Sequence, residues 1–408
     1  MNKKDTILVV NVGSTSFKYK LFNMEKGQCL ARGKIENVFT ATAEYTWKNG
    51  LRQGKEILDA SAGYGMCIQR MIELLTDKAA GVIPGLNAIG GVGFKAVLAG
   101  RINYPVKVTQ QLLREMGKYA FAAPAHNPPY IEAMQTFSDR MPGIPLVASF
   151  ETGFHRTIPE AHYVYALPQQ YREKYGLRKY GFHGASHGYV AWKISQRTGR
   201  EDLRIISCHL GGSSSLCAIQ NGKSLDTTMG FSPQAGIPNN NRNGDLDVFA
   251  VLYLMEQEKL TPLQMREILS TNSGLLGLSG ISGDMRVLKK SEDPRAKQTI
   301  DHLVYCVKKY LGGLFAEMNG ADVITFSGGI GENDSELRQK ICENMDCFGI
   351  RLNQQANQKA TGELPADGVE ISAPNSKIKI IVLPTNEEWM VAMNTRKVIE
   401  QEEQNEMR

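Results

Sequence analysis

The sequence predicts an α/β protein made of two duplicated halves. The first sign is an apolar run that passes through a polar tip into an alternating pattern, ILVVNVGSTSFKYKLFN, residues 7–23. Such a pattern predicts strand, turn and strand, with Gly13 at the reversal. The second sign is a related segment, IISCHLGGSSSLCAIQN, residues 205–221, which aligns with the first without a gap at a displacement of 198 residues. A hairpin repeated at the start of each half indicates duplicated domains.

The tips of both hairpins have the composition of a phosphate-binding loop. Each tip offers backbone N–H groups and hydroxyls with little side-chain bulk above them. One Ser-rich tip by itself is more often an ordinary turn. Two related tips suggest that each half offers a phosphate loop to one shared cleft.

Further strands and helices complete the two α/β halves. Strand signals occur at NAIGGVGFKAVL and GIPLVASF in the first half, and ADVITFSGGIGEND repeats strand, glycine turn and helix start in the second. Apolar residues at helical spacing predict a helix from about Asp293 to Met318. A second helix is predicted from Asp245 to Leu260, beginning at an Asp after Gly244. The tail EQEEQNEMR is typical of a charged helix end or a frayed terminus.

Composition excludes several classes of protein. The 408 residues are 42% hydrophobic, and the net charge of +5 is spread thinly, so nucleic acid is not an expected partner. No apolar run approaches transmembrane length and the N-terminal run is too short for a secretory signal, which predicts a cytoplasmic protein without membrane contact. Seven cysteines without a C-x-x-C pattern indicate reduced thiols, most of them packed.

The motifs resemble those of one family almost from end to end. Two Ser-rich loops in duplicated halves, with SGGIGEN, are similar to the sugar kinase, heat-shock ATPase and actin superfamily. Within it the chain resembles acetate kinases and their propionate kinase relatives. The matching segments are NVGSTSFKYKLF, APAHNPP, ETGFHRTIPEAHYVYALP, YGFHGASHGYV, HLGGSSSL, TTMGFSPQAGIP, RNGDLD, SGLLGLSGISGD, SGGIGEN and PTNEE.

This resemblance implies the fold and the reaction. The fold would be a duplicated two-domain actin-like ATPase fold, with ribonuclease H-like halves around a nucleotide cleft. An N-terminal domain of residues 1–151 plus 387–408 would carry the acyl-acceptor side, and residues 152–386 would bind the nucleotide. The enzyme, usually a homodimer, would transfer the γ-phosphoryl group of ATP to a short carboxylate, with Mg²⁺ or Mn²⁺ as cofactor and ATP or ADP as co-substrate.

The resemblance also assigns roles to individual residues. Arg242 would contact the transferring phosphoryl group, His183 would hydrogen-bond the transition state, and His126 would be a second active-site histidine. Glu387 would be the Mg²⁺-linked carboxylate together with Asn11, whereas Glu388 is expected to be solvated and His187 to pack or cap. The residues implied for nucleotide binding are Asn11, Ser14, Ser16, Lys18, His209, Gly211, Gly212, Ser213, Asp284, Arg286, Gly328, Gly329, Ile330, Gly331 and Asn333.

The sequence departs from the family pattern at positions that matter. Phe94 and Lys95 stand where the family has histidine and the arginine that holds the carboxylate and phosphoryl, and Glu151 replaces the catalytic aspartate. Lysine keeps the charge of arginine but lacks its planar fork. Gly212 replaces an asparagine of the second loop.

The acyl pocket shows a further departure. Its residues by resemblance are Val97, Ala125, Phe182 and Pro233, with Lys95 holding the carboxylate, and Ala125 replaces a larger leucine. The pocket is therefore either wider or filled by a neighbouring side chain.

Two functions follow from these departures. The leading hypothesis is an active kinase of acetate, propionate or a slightly larger carboxylate, in which Lys95 and Glu151 are adapted to each other. The alternative is a catalytically weakened homologue that binds nucleotide and serves regulation or assembly.

Overall fold

The computed structural model describes residues 5–121 and 126–406, which form two compact units. Unit 1 consists of Met1–Gly153 and Asn386–Arg408, and unit 2 of Phe154–Thr385. The chain therefore leaves unit 1, builds the whole of unit 2 and returns to unit 1 with its last helix.

Unit 1 is built on an eight-stranded sheet with the strand order β5-β4-β3-β2-β1-β6-β8-β7. Its strands are β1 (Thr6–Gly13), β2 (Ser16–Asn23), β3 (Gln28–Glu36), β4 (Ala43–Asn49), β5 (Arg52–Leu58), β6 (Gly91–Ala96), β7 (Val106–Lys107) and β8 (Leu146–Phe150). Its helices are α1 (Tyr64–Thr76), α2 (Gln110–Lys118), α3 (Asn127–Arg140) and α15 (Glu387–Glu406), with a 3₁₀ turn at Leu86–Ala88.

Unit 2 is built on a six-stranded sheet with the order β11-β10-β9-β12-β14-β13. Its strands are β9 (Arg204–His209), β10 (Ser215–Gln220), β11 (Lys223–Thr227), β12 (Val323–Ser327), β13 (Val369–Glu370) and β14 (Lys379–Val382). Its helices are α4 (Glu160–Tyr163), α5 (Gln169–Tyr175), α6 (Gly184–Thr198), α7 (Val248–Gln257), α8 (Pro262–Thr271), α9 (Gly274–Ser279), α10 (Met285–Lys290), α11 (Pro294–Glu317), α12 (Gly328–Asn333), α13 (Ser335–Cys342) and α14 (Gln354–Lys359), with 3₁₀ turns at Phe154–Thr157 and Asp346–Phe348.

The two sheets share one plan. In unit 1, β3, β2 and β1 pair antiparallel, and β6 and β8 follow parallel to β1. In unit 2, β11, β10 and β9 pair antiparallel, and β12 and β14 follow parallel to β9. The same strand order in both units confirms the predicted duplication and the α/β fold class.

The repeated hairpins differ in their registers. In the first hairpin Gly13 pairs with Ser16, so two residues form the turn. In the second, His209 pairs with Ser215, which leaves a five-residue loop. Relative to the gapless alignment, the pairing of the second hairpin is shifted by one residue, because a five-residue loop and a two-residue turn return the chain at different positions.

Both long predicted helices exist, but one begins later than predicted. Helix α11 begins after its N-cap Asp293 and has Met318 as its C-cap, as the apolar spacing indicated. The helix expected from Asp245 is α7, and its N-cap is Asp247, whose carboxylate accepts from the Phe249 N–H. Asp245 accepts a hydrogen bond from the Gly236 N–H instead, at 2.9 Å, and so is not available as a cap.

Apolar residues fill the space beside each sheet. In unit 1, Val391 and Ala392 of α15 pack with Ile7, Val9 and Val147 of the sheet. In unit 2, α11 packs along the sheet through residues such as Leu303 and Val307. All seven cysteines are free thiols, four of them buried. Among the described helices, none combines the length and the hydropathy that a bilayer-spanning segment needs.

Candidate active site

A lysine between two carboxylates forms the polar centre of unit 1. Lys95 lies on β6 and Glu151 directly after β8, and these neighbouring parallel strands bring both residues to the same edge of the sheet. The Lys95 Nζ lies 3.8 Å from the Glu151 Oε1 and forms an ion pair with Glu387, the first residue of α15. The predicted pair Lys95 and Glu151 is therefore in contact, and Glu387 completes the group.

The charge of Lys95 is stabilised by its neighbours. Burial lowers the pKa of Lys95, but Glu151 and Glu387 outweigh it and hold the pKa above its usual value. The side chains are only 17%, 8% and 17% exposed, so solvent screens these interactions weakly. One ammonium group faces two carboxyl groups, which leaves the cluster able to accept a further cation.

Tyr130 connects this cluster to the first hairpin, and no sequence motif singles it out. The Tyr130 hydroxyl donates to the Asn11 Oδ1 at 3.1 Å and accepts from the Val12 N–H at 3.1 Å. Burial raises the pKa of Tyr130, the charge of Lys95 lowers it, and Glu151 is among the groups that raise it further. Tyr130 directly follows the APAHNPP motif, but a single aromatic residue at such a position is usually predicted to be a core residue.

The two side chains of unit 1 that the sequence predicts as metal ligands both carry oxygen donors. Asn11 and Glu387 offer an amide and a carboxylate oxygen, the ligand types that Mg²⁺ prefers. No group of three or more His, Cys, Asp or Glu side chains among residues 5–121 and 126–406 could hold a metal by itself.

The other predicted residues of unit 1 that the structure describes lie in the first hairpin, after β6 and at the start of α3. Ser14 is exposed in the turn of the first hairpin, and Lys18 is exposed on β2. Val97 is buried after β6, and His126 is half-buried at the start of α3. Ala125 lies outside the described residues, so the width of the acyl pocket stays a prediction.

Unit 2 has a cavity of about 570 Å³ lined by residues predicted to bind nucleotide. The loop of the second hairpin, the start of α10 and the glycine turn of α12 meet there. The predicted residues in its lining are Gly211, Gly212, Asp284, Arg286, Gly329, Ile330 and Asn333. Their convergence from three separate segments gives a space of the size that small-molecule sites have.

The glycine turn at the floor of this cavity requires glycine at one position. Gly328 has a φ of +79°, and a Cβ there would lie 2.7 Å from the Leu210 carbonyl oxygen. Gly329 has open space where its Cβ would be. The turn is fixed by hydrogen bonds from the N–H groups of Ile330 and Gly331 to Leu210 O, both 2.9 Å long.

A buried arginine supports the same turn. Arg338 is fully buried, and its guanidinium donates to Gly331 O at 2.8 Å and Glu332 O at 2.9 Å. It also donates to Asn357 Oδ1 at 2.8 Å. These bonds fix the turn from behind, and the sequence did not distinguish Arg338 from a surface arginine on a helix.

Asp284 and Arg286 hold each other at the edge of the cavity. Asp284 caps α10, and its carboxylate accepts from the Arg286 side chain at 2.6 Å. The hydrogen bonds from Arg286 lower the pKa of Asp284 to about 2. The Arg286 side chain is 88% exposed, so it is accessible to a ligand that enters the cavity.

The second hairpin loop is held by the segment that contains Arg242. The half-buried Arg242 guanidinium donates to the Ser213 Oγ at 3.0 Å, and burial lowers its pKa. The Ser214 N–H donates to Asn239 Oδ1 at 2.5 Å, and the Asn240 N–H to Gly212 O at 3.1 Å. Arg242 is therefore oriented towards the predicted phosphate loop by the loop itself.

Three histidines and three serines form a network next to that loop. His183 Nδ1 and His187 Nε2 each lie 2.8 Å from the Ser215 Oγ, and His209 Nδ1 lies 2.8 Å from the Ser186 Oγ. The rings of His183 and His209 stand 4.4 Å apart, centroid to centroid. His187 is fully buried, also contacts Ser207, and has its pKa lowered by burial, in agreement with a packing role.

His183 has an unusual backbone conformation. Its φ of +58° lies in the left-handed region, where a residue with a side chain is strained by roughly 1–3 kcal/mol. The conformation starts α6 and fixes the direction of the imidazole. Phe182, before it, is buried, and its carbonyl oxygen lies 2.9 Å from His155 Nε2, while Pro233 is half-buried.

One sequence expectation about the start of α15 in unit 1 is wrong. Glu388 is not simply solvated, because its carboxylate pairs with the Lys20 Nζ at 3.0 Å and its side chain is only 23% exposed. The partner lies on β2, far away in the sequence, so no local pattern could reveal it.

Comparison with known proteins identifies the class of protein. The model of the Acetokinase family matches residues 6–393. The acetate kinase of Dictyoglomus turgidum is 40% identical over 399 residues, which are 96% of this chain and 97% of that protein. The fold is the actin-like ATPase type, and the protein is a phosphotransferase with a carboxyl group as acceptor.

Solved structures agree with this result. The crystal structure of Porphyromonas gingivalis acetate kinase has a TM-score of 0.88 and 34% identity, and covers 97% of this chain and 100% of that one. A propionate kinase from Francisella tularensis has the same TM-score with 30% identity, 97% coverage of this chain and 100% of that chain. The chain belongs to the acetokinase family, as the sequence motifs indicated.

Proposed function

We propose that this protein reversibly transfers the γ-phosphoryl group of ATP to acetate, propionate or a slightly larger short-chain carboxylate. The observation that carries the proposal is the cavity of about 570 Å³ in unit 2, lined by two predicted phosphate-binding turns and by Asp284 and Arg286. Family membership favours turnover over the alternative, nucleotide binding without catalysis.

The proposed chemistry is the attack of one anion on another. A carboxylate oxygen bonds to the γ-phosphorus, the bond from this phosphorus to the bridging oxygen breaks, and ADP leaves with the electron pair. Such a reaction needs cations that offset repulsion and hold charge on the transferring group. Lys95 would hold the acceptor carboxylate, Arg242 would contact the transferring phosphoryl, and His183 would donate a hydrogen bond to it.

We assign the metal to Asn11 and Glu387. Bound Mg²⁺ would neutralise phosphate charge during the transfer. The excess of carboxylate over ammonium around Lys95 supports this assignment, since a second cation balances the cluster. Glu151 would keep Lys95 in place while Glu387 contacts the metal.

We also propose a homodimer, for which α7 provides support. This ten-residue helix is mostly apolar and has no buried residue, with Val248, Phe249 and Tyr253 being 69%, 77% and 64% exposed. Apolar faces of this kind mark association surfaces. Light scattering of Phe249→Glu should show a monomer where the parent is a dimer, and a dimeric variant would contradict the assignment.

The cytoplasmic location stays a prediction.

The test of the reaction is acyl phosphate formation. The protein is incubated with ATP, Mg²⁺ and carboxylates of two to five carbons, and acyl phosphate is trapped as the hydroxamate, while calorimetry measures nucleotide binding. We expect product from at least one acceptor. Nucleotide binding without product from any acceptor would overturn the proposal.

A further inference from the structure

A basic cavity lies on the unit 1 sheet beside the first hairpin, and its lining includes Asn11, which we assign to the metal. Its volume is about 350 Å³. Its charged lining residues, all in the described part of unit 1, are Lys18, Lys20, Arg32, Lys34, Lys48 and Glu388. Five basic side chains thus share the cavity with one carboxylate.

The strand registers align these cations in rows. Lys20 of β2 pairs with Arg32 of β3, which pairs in turn with Lys48 of β4. In the adjacent row Lys18 pairs with Lys34. Like charges directly opposite each other on neighbouring strands destabilise a sheet. Folding therefore does not account for these rows, and a ligand that neutralises them would.

The acids near the cavity balance only part of this charge. Lys20 pairs with Glu388 at 3.0 Å, and Lys34 with Glu36 at 2.6 Å. Lys18, Arg32 and Lys48 are exposed and have no ion pair with any of the residues that the structure describes. Three cations with solvated, unpaired head groups remain around one concave space.

We propose that this face binds a compact oligophosphate, an anion of three or more linked phosphate groups. Strands lie about 4.8 Å apart, so the row across β2, β3 and β4 spans roughly 10 Å, which suits a short phosphate chain. Arginine grips phosphate with two donors, and lysine binds it as a point charge. The cavity volume matches a small molecule rather than a macromolecule.

The ligand class is defined by its phosphates and could have two sources. One is an inorganic oligophosphate, and the other is the polyphosphate arm of a nucleotide. Either would be additional to the nucleotide proposed for unit 2. Lys18 also belongs to the predicted phosphate loop, so the test uses Arg32 and Lys48, which have no proposed part in phosphoryl transfer.

The experiment titrates tripolyphosphate, and separately ATP, into the parent and into Arg32→Gln/Lys48→Gln. We expect the double variant to bind tripolyphosphate at least tenfold more weakly, with a melting temperature equal to or above that of the parent because like-charge repulsion is relieved. If ATP shows a second binding event that the variant loses, the source is a nucleotide. If only tripolyphosphate responds, the source is inorganic.

The matched control is Lys26→Gln/Lys78→Gln, which removes the same charge from exposed positions of unit 1 outside the cavity. Equal affinity in the parent and Arg32→Gln/Lys48→Gln for both ligands, or an equal loss in the control, would overturn the proposal. Acyl phosphate formation should be unchanged in both variants. A parent without kinase activity would contradict the proposed function and leave this titration valid.

Discussion

The two hairpins have related sequences, but different contacts hold their tips. In unit 1 the tip is a two-residue turn, in which Ser14 and Thr15 are exposed. Two hydrogen bonds hold its backbone: the Tyr64 hydroxyl donates to Gly13 O at 2.7 Å, and the Val38 N–H donates to Thr15 O at 3.0 Å. In unit 2 the tip is a five-residue loop, and side chains from residues 239–242 bind it.

This difference concerns preorganisation. A loop whose conformation is fixed before binding loses less entropy when the ligand arrives. The unit 2 loop is held by side chains before any ligand binds, with Arg242 already oriented towards it, whereas the described residues give the exposed Ser14 hydroxyl of the unit 1 turn no fixed partner. The departures from the family at Lys95 and Glu151 also lie in unit 1. We therefore expect the acceptor specificity to depend on unit 1, although Gly212 of the unit 2 loop departs from the family pattern as well.

The largest expected effect is that of Arg242→Ala. Removing this guanidinium takes a positive charge from the proposed transition state, so kcat should fall by roughly 10³-fold or more. We expect the protein to stay folded, because the side-chain hydrogen bond that is lost among the described residues is the one to the Ser213 Oγ. The hydroxamate assay measures the loss. Lys223→Ala, which removes an exposed cation of the same unit, should keep full activity, and a folded Arg242→Ala protein with normal turnover would remove the centre of the proposed site.

Acid should destabilise unit 2 before unit 1. Burial lowers the pKa of His155 to about 4. Because Phe182 O can only accept, Nε2 carries the proton and Nδ1 accepts from Ser224. Below pH 6.5, the usual pKa of histidine, His155 binds a proton in the unfolded state but stays neutral in the folded state until the pH nears 4. The free energy of unfolding therefore falls as the pH drops, by about 2 kcal/mol at pH 5.

Urea unfolding at pH 7 and pH 5, with hydrogen exchange of the two hairpins, measures this difference. The amides of β9 and β10 should lose protection in acid, while those of β1 and β2 change less, since His126 is the one histidine of unit 1. His155→Gln should flatten the pH dependence of the unfolding free energy. Equal acid sensitivity in both hairpins would contradict the comparison.

The adaptation of the acceptor half is tested by Lys95→Arg, Glu151→Asp and the double variant. The Nζ of Lys95 stands 3.8 Å from Glu151, and a shorter aspartate or a longer arginine alone would misplace this contact. Each single change should impair activity, and the double should recover it or shift preference towards acetate. Coupling of about 0.5–3 kcal/mol is expected for such neighbours. The double-mutant cycle is measured as acyl phosphate formation with acetate, propionate and butyrate. If each single change raises activity and the two gains add in the double variant, the protein has lost function and the two residues are not adapted to each other.

The smallest effects are expected from serine-to-alanine changes in the two tips, which compare the tips directly. Ser213→Ala removes the acceptor that holds Arg242 and should raise the KM for ATP roughly fivefold to tenfold, since such a hydrogen bond contributes about 1 kcal/mol. Ser14→Ala should change it less than threefold, because the described residues give its hydroxyl no fixed partner. A larger effect at Ser14 would reverse the proposed order of preorganisation.

The sequence predicts what depends on local pattern. The strands of both hairpins, the helix after Asp293 and the glycine turn at Gly328 follow from alternation, helical spacing and glycine position. The family motifs also indicate which residues line the unit 2 cavity, although the cavity exists only because distant segments meet.

What the sequence does not predict depends on distant partners. Asp245 and Asp247 are equal candidates for the cap of α7, and Asp247 is the cap because Asp245 binds the Gly236 N–H and Tyr310. Glu388 pairs with a strand 368 residues away. Tyr130 resembles a core aromatic until its hydroxyl is seen on Asn11. Each outcome is decided by tertiary contacts between positions that no short pattern connects.

The return of the chain to unit 1 has a consequence for the order in which a ribosome produces a working enzyme. Residues 154–385 are contiguous and can fold as soon as they have emerged, but the first 153 residues cannot cover Ile7, Val9 and Val147 until α15 is translated. The nascent first segment therefore carries an exposed apolar sheet face through most of synthesis, which is a target for chaperones. Glu387 is part of that same helix, so Lys95 acquires its second carboxylate only when α15 docks. A prematurely terminated chain therefore lacks both the helix that covers the sheet and the carboxylate that pairs with Lys95.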